Sequence, residues 1–384
     1  AIRLKIGKPD DPEVAASYLN LGSVYTNMGK YEEAMQAFDK ALSIKLKYVN
    51  ENETDLGKTY NNMGVLFEFQ GKDAEAIEKF KQALKLYIKN VGENAPIVGA
   101  AYNNIGTAYK SQGNLEEAQE CFENALKIKT THLGDDHPSL MTLYGNLGVV
   151  YEKQGKHELA IKTLTKSVEL KQKHLGEGHP DLAVTYNNLA LAYTHSGDYE
   201  KAGEFHQKVL EIKLKQNQNQ PEGDVSVGAT YSGIAAAYEN AGKYEEALKA
   251  YEKVKEIFLK KYGDSHEEIL NINASIGAIY EKMEKYNIAL DIFRKNLEIT
   301  FKYHSGKETL IATTYVHIAS ILTLQERITE AIRALEKALE LRKKVLPDDH
   351  PDVRETYYRL SELYKADGND ELAEKYLQKS GQKA

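Results

Sequence analysis

The sequence predicts an all-α fold, a solenoid of about nine helix-turn-helix repeats, and three residue series in one register predict it. Alanine recurs at Ala34, Ala76, Ala118, Ala160, Ala202, Ala247, Ala289, Ala331 and Ala373, every 42 residues except for one step of 45. Nine residues ahead of each stands a large apolar or aromatic residue: Tyr25, Phe67, Tyr109, Tyr151, Tyr193, Tyr238, Tyr280, Leu322 and Tyr364. Three residues ahead of that stands a small one: Gly22, Gly64, Gly106, Gly148, Ala190, Ala235, Gly277, Ala319 and Ser361. Length alone would imply two or three domains. A period near forty residues instead implies stacked units sharing one continuous core.

In chain order the register predicts units at 12–48, 54–90, 96–132, 138–174 and 180–215, then a flexible polar insertion at 216–224 that accounts for the longer step. Units at 225–260, 267–302, 309–344 and 351–380 follow. Residues 1–6, AIRLKI, align with the tail of a second helix whose first helix is missing. Without an initiator methionine, the chain reads as an excised segment.

Each unit begins with its first helix. Pro12, Pro96, Pro138, Pro180 and Pro351 all stand ten residues before the small residue, and proline suits a first helical turn because the amides there are unpaired anyway. In the fourth unit Leu143, Tyr144, Leu147, Val150 and Tyr151 recur at helical spacing. After Gly155 the second helix follows, with Leu159, Ile161, Leu164, Val168 and Leu170.

Glycine separates the two helices at Gly29, Gly71, Gly113, Gly155, Gly197, Gly242 and Gly368, where it supplies the left-handed helix-ending conformation. The small residue lets the partner helix approach, so a bulky side chain at Gly106 should cost about 1–3 kcal/mol by overpacking. The tyrosines four residues before it, Tyr18, Tyr60, Tyr102, Tyr144, Tyr186, Tyr231, Tyr315 and Tyr357, are expected in the core rather than on an exposed stacking strip. Departures concentrate in units seven and eight: Glu284 and Glu326 replace the glycine, Asn273 the tyrosine and Leu322 the aromatic residue. Those units are expected to bend or pack differently.

A small residue, tyrosine three later, glycine after four more and alanine five beyond that resemble the tetratricopeptide repeat family across essentially the whole chain. The resemblance implies a right-handed superhelix. Ordinary members have shorter units; the 42-residue unit, with LGDDHP at Leu133–Pro138, LGEGHP at Leu175–Pro180 and PDDHPDV at Pro347–Val353, is similar to the kinesin light chain and nephrocystin subgroup. That subgroup implies a cytoplasmic protein associated with the cytoskeleton or the cilium.

Composition excludes several function classes. With 57 acidic residues against 50 Lys and Arg and a net charge of −7, the chain lacks the basic footprint of a nucleic-acid binder. It has no apolar run of the roughly 18 residues a membrane span needs. Its single cysteine, Cys121, rules out an internal disulfide framework, favours a reducing cytosolic setting, and is read as packing material. No phosphate loop, nucleophile elbow or metal-ligand cluster is visible, so neither an enzyme nor a metal or other cofactor is expected. His137, His179 and His350 share one register and read as loop residues bonding across a turn, spaced too far apart to share a metal.

Second helices start acidic (Glu32, Glu33, Glu116, Glu117, Glu245, Glu246) and end basic (Lys45, Lys47, Lys127, Lys129, Lys171, Lys173, Arg342, Lys343, Lys344). The helix dipole explains the pattern by itself. Stacking would also align the basic ends into an edge that meets an acidic partner.

Two residues before the small residue, units one to five carry Asn20, Asn62, Asn104, Asn146 and Asn188, and units six to nine carry Gly233, Ser275, His317 and Arg359. The tetratricopeptide resemblance places these asparagines on a concave surface, where they hold the backbone of a bound peptide. Their amides supply both donor and acceptor. Asn61, Asn103 and Asn187 widen the ladder; the alternative is that the amides only tie neighbouring helices together. The lysine clamp that binds a chaperone's acidic C-terminus is replaced by Leu19, Asn61, Asn103, Gly145 and Asn187. The expected function is an adaptor or scaffold that captures an extended partner segment, with a regulatory or targeting region of a larger enzyme or signalling ATPase as the alternative.

Overall fold

The computed structural model describes residues 11–47, 53–216, 224–303 and 306–382. The 1–6 tail and most of the 216–224 insertion lie outside the described residues. Within them the chain is all α-helical apart from turns, and it divides into two compact units, Ala1–Asp198 and Tyr199–Ala384.

The first unit contains α1 (Pro12–Asn27), α2 (Tyr31–Leu46), α3 (Glu53–Phe69), α4 (Asp73–Val91), α5 (Pro96–Gln112), α6 (Leu115–Leu133), α7 (Met141–Lys153, entered through a 3-10 turn at Pro138–Leu140), α8 (His157–Leu175) and α9 (Pro180–Ser196). The second contains α10 (Tyr199–Gln216), α11 (Val225–Asn240), α12 (Tyr244–Tyr262), α13 (Glu267–Lys282), α14 (Tyr286–Tyr303), α15 (Glu308–Leu324), α16 (Ile328–Val345), α17 (Pro351–Ala366) and α18 (Asp370–Ser380).

The ends of the first helices are fixed locally. His137, His179 and His350 sit in extended backbone just before a proline, and each Nδ1 accepts the amide two residues on, at 3.2 Å from Ser139, Asp181 and Asp352. They are helix caps, as the turn reading expects. His266 does the same for Glu268 without a following proline.

The turn between helices is equally uniform. Gly29, Gly113 and Gly197 have φ of 72°, 83° and 84°. Glu284 and Glu326 occupy the same left-handed position, at φ 59° and 58°. The closing bonds from Lys285 N to Tyr280 O (2.8 Å) and Arg327 N to Leu322 O (2.9 Å) match that from Lys30 N to Tyr25 O (2.9 Å). At these two positions the turn keeps its geometry and the glutamates absorb the strain.

Packing explains the three series. A Cβ at Gly106 would stand 2.9 Å from the Phe122 ring, and one at Gly277 2.8 Å from Phe293. The alanines from Ala34 to Ala331 in the repeating series are fully buried, and tyrosines such as Tyr60, Tyr102 and Tyr231 are half-buried against the cores. At the tyrosine's place in α13, Asn273 is buried and donates to Asn296 Oδ1 at 3.0 Å; Asn296 in turn donates to Leu270 O at 2.8 Å. The departure is thus matched by a polar partner in α14.

Within the first unit, each second helix packs on its own first helix and on the next one, while α1 and α3, α5 and α7, and α7 and α9 also touch. The first helices therefore occupy the side where neighbouring repeats approach one another, which brings their polar residues together.

Candidate functional site

All five asparagines of the register fall in the first unit, on α1, α3, α5, α7 and α9. Asn20 is exposed, and Asn62, Asn104, Asn146 and Asn188 are half-buried. Three of them reach a preceding first helix: Asn62 Nδ2 donates to Ser23 Oγ (3.1 Å), Asn104 Nδ2 donates to Asn61 Oδ1 (3.0 Å), and Asn146 Oδ1 accepts from Lys110 Nζ (2.8 Å). Each contact ties neighbouring helices and orients an amide, yet uses only part of its donor and acceptor capacity. Asn103 and Asn187 are half-buried beside Asn104 and Asn188.

Six residues further along the first helices, Glu68, Lys110 and Glu152 share a register. Burial, reinforced by Asp73 and opposed by Lys110, raises the Glu68 carboxyl to about 7. Burial and Lys153 lower Lys110, against Glu68. Glu68 is therefore held closer to its neutral form than an exposed glutamate would be. Thr26, one turn past Gly22 on α1, is buried and bonds back to Gly22 O at 2.9 Å.

The basic edge is thinner than the sequence implies. Lys171 Nζ turns inward to Asp181 O (3.0 Å) and Thr185 Oγ1 (2.8 Å), Lys45 to Asp55 O (2.8 Å), and Lys213 to Ser226 O (2.7 Å) and Thr230 Oγ1 (2.9 Å). Lys173 pairs with Asp136 at 2.9 Å. Lys127 stays exposed. Cys121 is half-buried, its thiol pushed up to about 11 chiefly by burial, which leaves it little thiolate character.

The sequence singled out no metal-ligand cluster, but the structure brings Glu152, His157 and His195 together. The separation of His195 from Glu152 by 43 residues hides this meeting. The available signal is that it approximates the 42-residue repeat, which places residues so spaced on adjacent first helices.

Stacked helical hairpins with polar residues gathered on their first helices define a helical-repeat scaffold. The model of the family described as tetratricopeptide repeat matches residues 3–89, 97–173, 146–215, 226–300 and 310–380, and the chain belongs to that family. Such repeats are generally non-catalytic, protein-binding scaffolds. The fold is similar to the apo form of RapI (TM-score 0.60, 17% identity, covering 95% of this chain and 96% of that one). It is also similar to BtubC (BKLC) from P. vanneervenii (TM-score 0.50, 20% identity, 60% and 91% covered). A third similar structure is the STAND protein with a tetratricopeptide repeat sensor, PH0952 from Pyrococcus horikoshii (TM-score 0.53, 17% identity, 97% and 50% covered). No curated protein matches significantly. Among the described residues no helix is long and apolar enough to cross a membrane.

Proposed function

We propose that the first unit captures an extended segment of a partner protein along its first helices, as an adaptor of the kinesin-light-chain type. The observation that carries this reading is the column of half-buried asparagines, three of them held in place from a neighbouring first helix with amide capacity to spare. Equivalent helices about 10 Å apart and a peptide advancing about 3.3 Å per residue would bring one asparagine to roughly every third ligand residue. The five would span about a dozen. Each amide contact contributes about 1 kcal/mol, so the decisive variant combines Asn62→Ala, Asn104→Ala and Asn146→Ala. Pull-downs with the intact chain and the triple variant, matched for helicity, test the reading. Partners retained equally by both would refute it.

A second reading, a regulatory or targeting region of a larger enzyme or signalling ATPase, draws on the fold likeness to the STAND protein, of which the matched part is half. A longer open reading frame encoding an ATPase module next to these repeats would favour it.

A further inference from the structure

We infer that Glu152, His157 and His195 form a binding site for a divalent transition-metal ion of the zinc type, independent of the peptide reading. Glu152 lies on α7 with its side chain 6% exposed, although a carboxylate is costly to bury without a charge partner. Its contacts are two imidazoles. Oε2 stands 3.0 Å from Nδ1 of His157, the first residue of α8, and Oε1 meets Nδ1 of His195 near the end of α9. The imidazole rings are tilted by 51° with centroids 5.3 Å apart. One donor atom from each residue lies within 4.8 Å of the others. Ligand bonds of about 2.0–2.2 Å around a tetrahedral ion set donors roughly 3.3 Å apart, so small side-chain adjustments suffice.

The donor chemistry selects the ion. Two imidazole nitrogens and one carboxylate oxygen suit zinc and its neighbours; calcium and magnesium prefer all-oxygen sets. A neutral imidazole coordinates through Nδ1 with its proton on Nε2, so binding requires only a tautomer shift. Side-chain exposures of 50% at His195 and 30% at His157 leave a route for the ion and a place for water as the fourth ligand. Because Glu152 and His157 belong to the α7–α8 hairpin and His195 to α9, a bound ion would clamp consecutive first helices at the end of the asparagine column.

The test uses the full chain without an affinity tag, stripped of metal and titrated with Zn2+ by calorimetry and with Co2+ by visible absorption. One equivalent is expected, with the absorption of low-coordinate Co2+. The variant combining His157→Ala and His195→Ala should bind at least about 100-fold more weakly, the upper end of what losing a mere supporting contact costs. Glu152→Gln should weaken binding too. The variant keeps every other histidine, so equal binding by both proteins would place the ion elsewhere and overturn the proposal. Absence of binding to the folded wild-type chain would do the same. If the double variant fails to fold by circular dichroism, the single change His195→Asn at the half-exposed position decides by the same two outcomes.

Discussion

Lys171 Nζ stands 2.8 Å from the Thr185 hydroxyl, and both donate to the Asp181 carbonyl in the first turn of α9. The arrangement recurs: Arg342 bonds Thr356 Oγ1 at 2.6 Å and the Asp352 carbonyl, and Lys213 bonds Thr230 and Ser226. A cation from one second helix thus fastens the start of the next first helix. Burial lowers the pKa of both Lys171 and Arg342, and the hydrogen bonds offset its cost.

Thr356 is fully buried. Thr356→Val should therefore destabilise the second unit by about 1–3 kcal/mol, because it removes one partner of a buried cation while keeping the side-chain volume. Urea denaturation would measure this. A change within a few tenths of a kcal/mol would show that the lock adds nothing.

Glu284 and Glu326 hold a left-handed conformation that glycine adopts without strain. Glu284→Gly and Glu326→Gly should each raise stability by about 1 kcal/mol, and Gly113→Ala, at φ 83°, should lower it by a similar amount. Opposite signs at these equivalent turns, read from thermal melts, are the expected result.

Gly106→Leu forces a side chain toward Phe122, which a Cβ alone would approach to 2.9 Å. It should destabilise by about 1–3 kcal/mol or more. Gly145→Ala, where the added Cβ meets only Ser167 Oγ at 3.5 Å, should be mild or stabilising by comparison. Denaturation midpoints of the two variants check the contrast.

Glu68 titrates from an ordinary value of 4.5 to about 7 in the folded chain, so folding favours its neutral form. That contribution is complete below about pH 4.5 and disappears as pH rises through about 7. Glu68→Gln should therefore be more stable than wild type at pH 8, by about 1 kcal/mol once solvent screening of this half-exposed group is allowed for. The advantage should vanish towards pH 4.5. Stability measured across that range would decide, and a pH-independent difference would contradict the titration.

Much of the fold was legible because its determinants are local. Helical spacing of apolar residues, proline at a first turn and glycine in a left-handed turn each act within a few residues. The capping role of His179 belongs to the same class, since its partner is the amide of Asp181, two residues away. Even the cation lock left a trace: Lys45, Lys171 and Arg342 are each followed fourteen residues later by threonine, although Lys129 is followed there by Leu143.

The sequence by itself determined the repeat, its all-helical hairpins, its tetratricopeptide membership and the register of the asparagines. Tertiary structure alone decided which polar groups meet: Lys171 turning inward rather than forming an outer edge, Asn146 receiving Lys110, and His195 reaching Glu152. The reason is geometric. Periodicity fixes the face a residue occupies, whereas a hydrogen bond between repeats depends on how far and at what angle successive helices are offset, which the packing of each second helix on the next first helix sets.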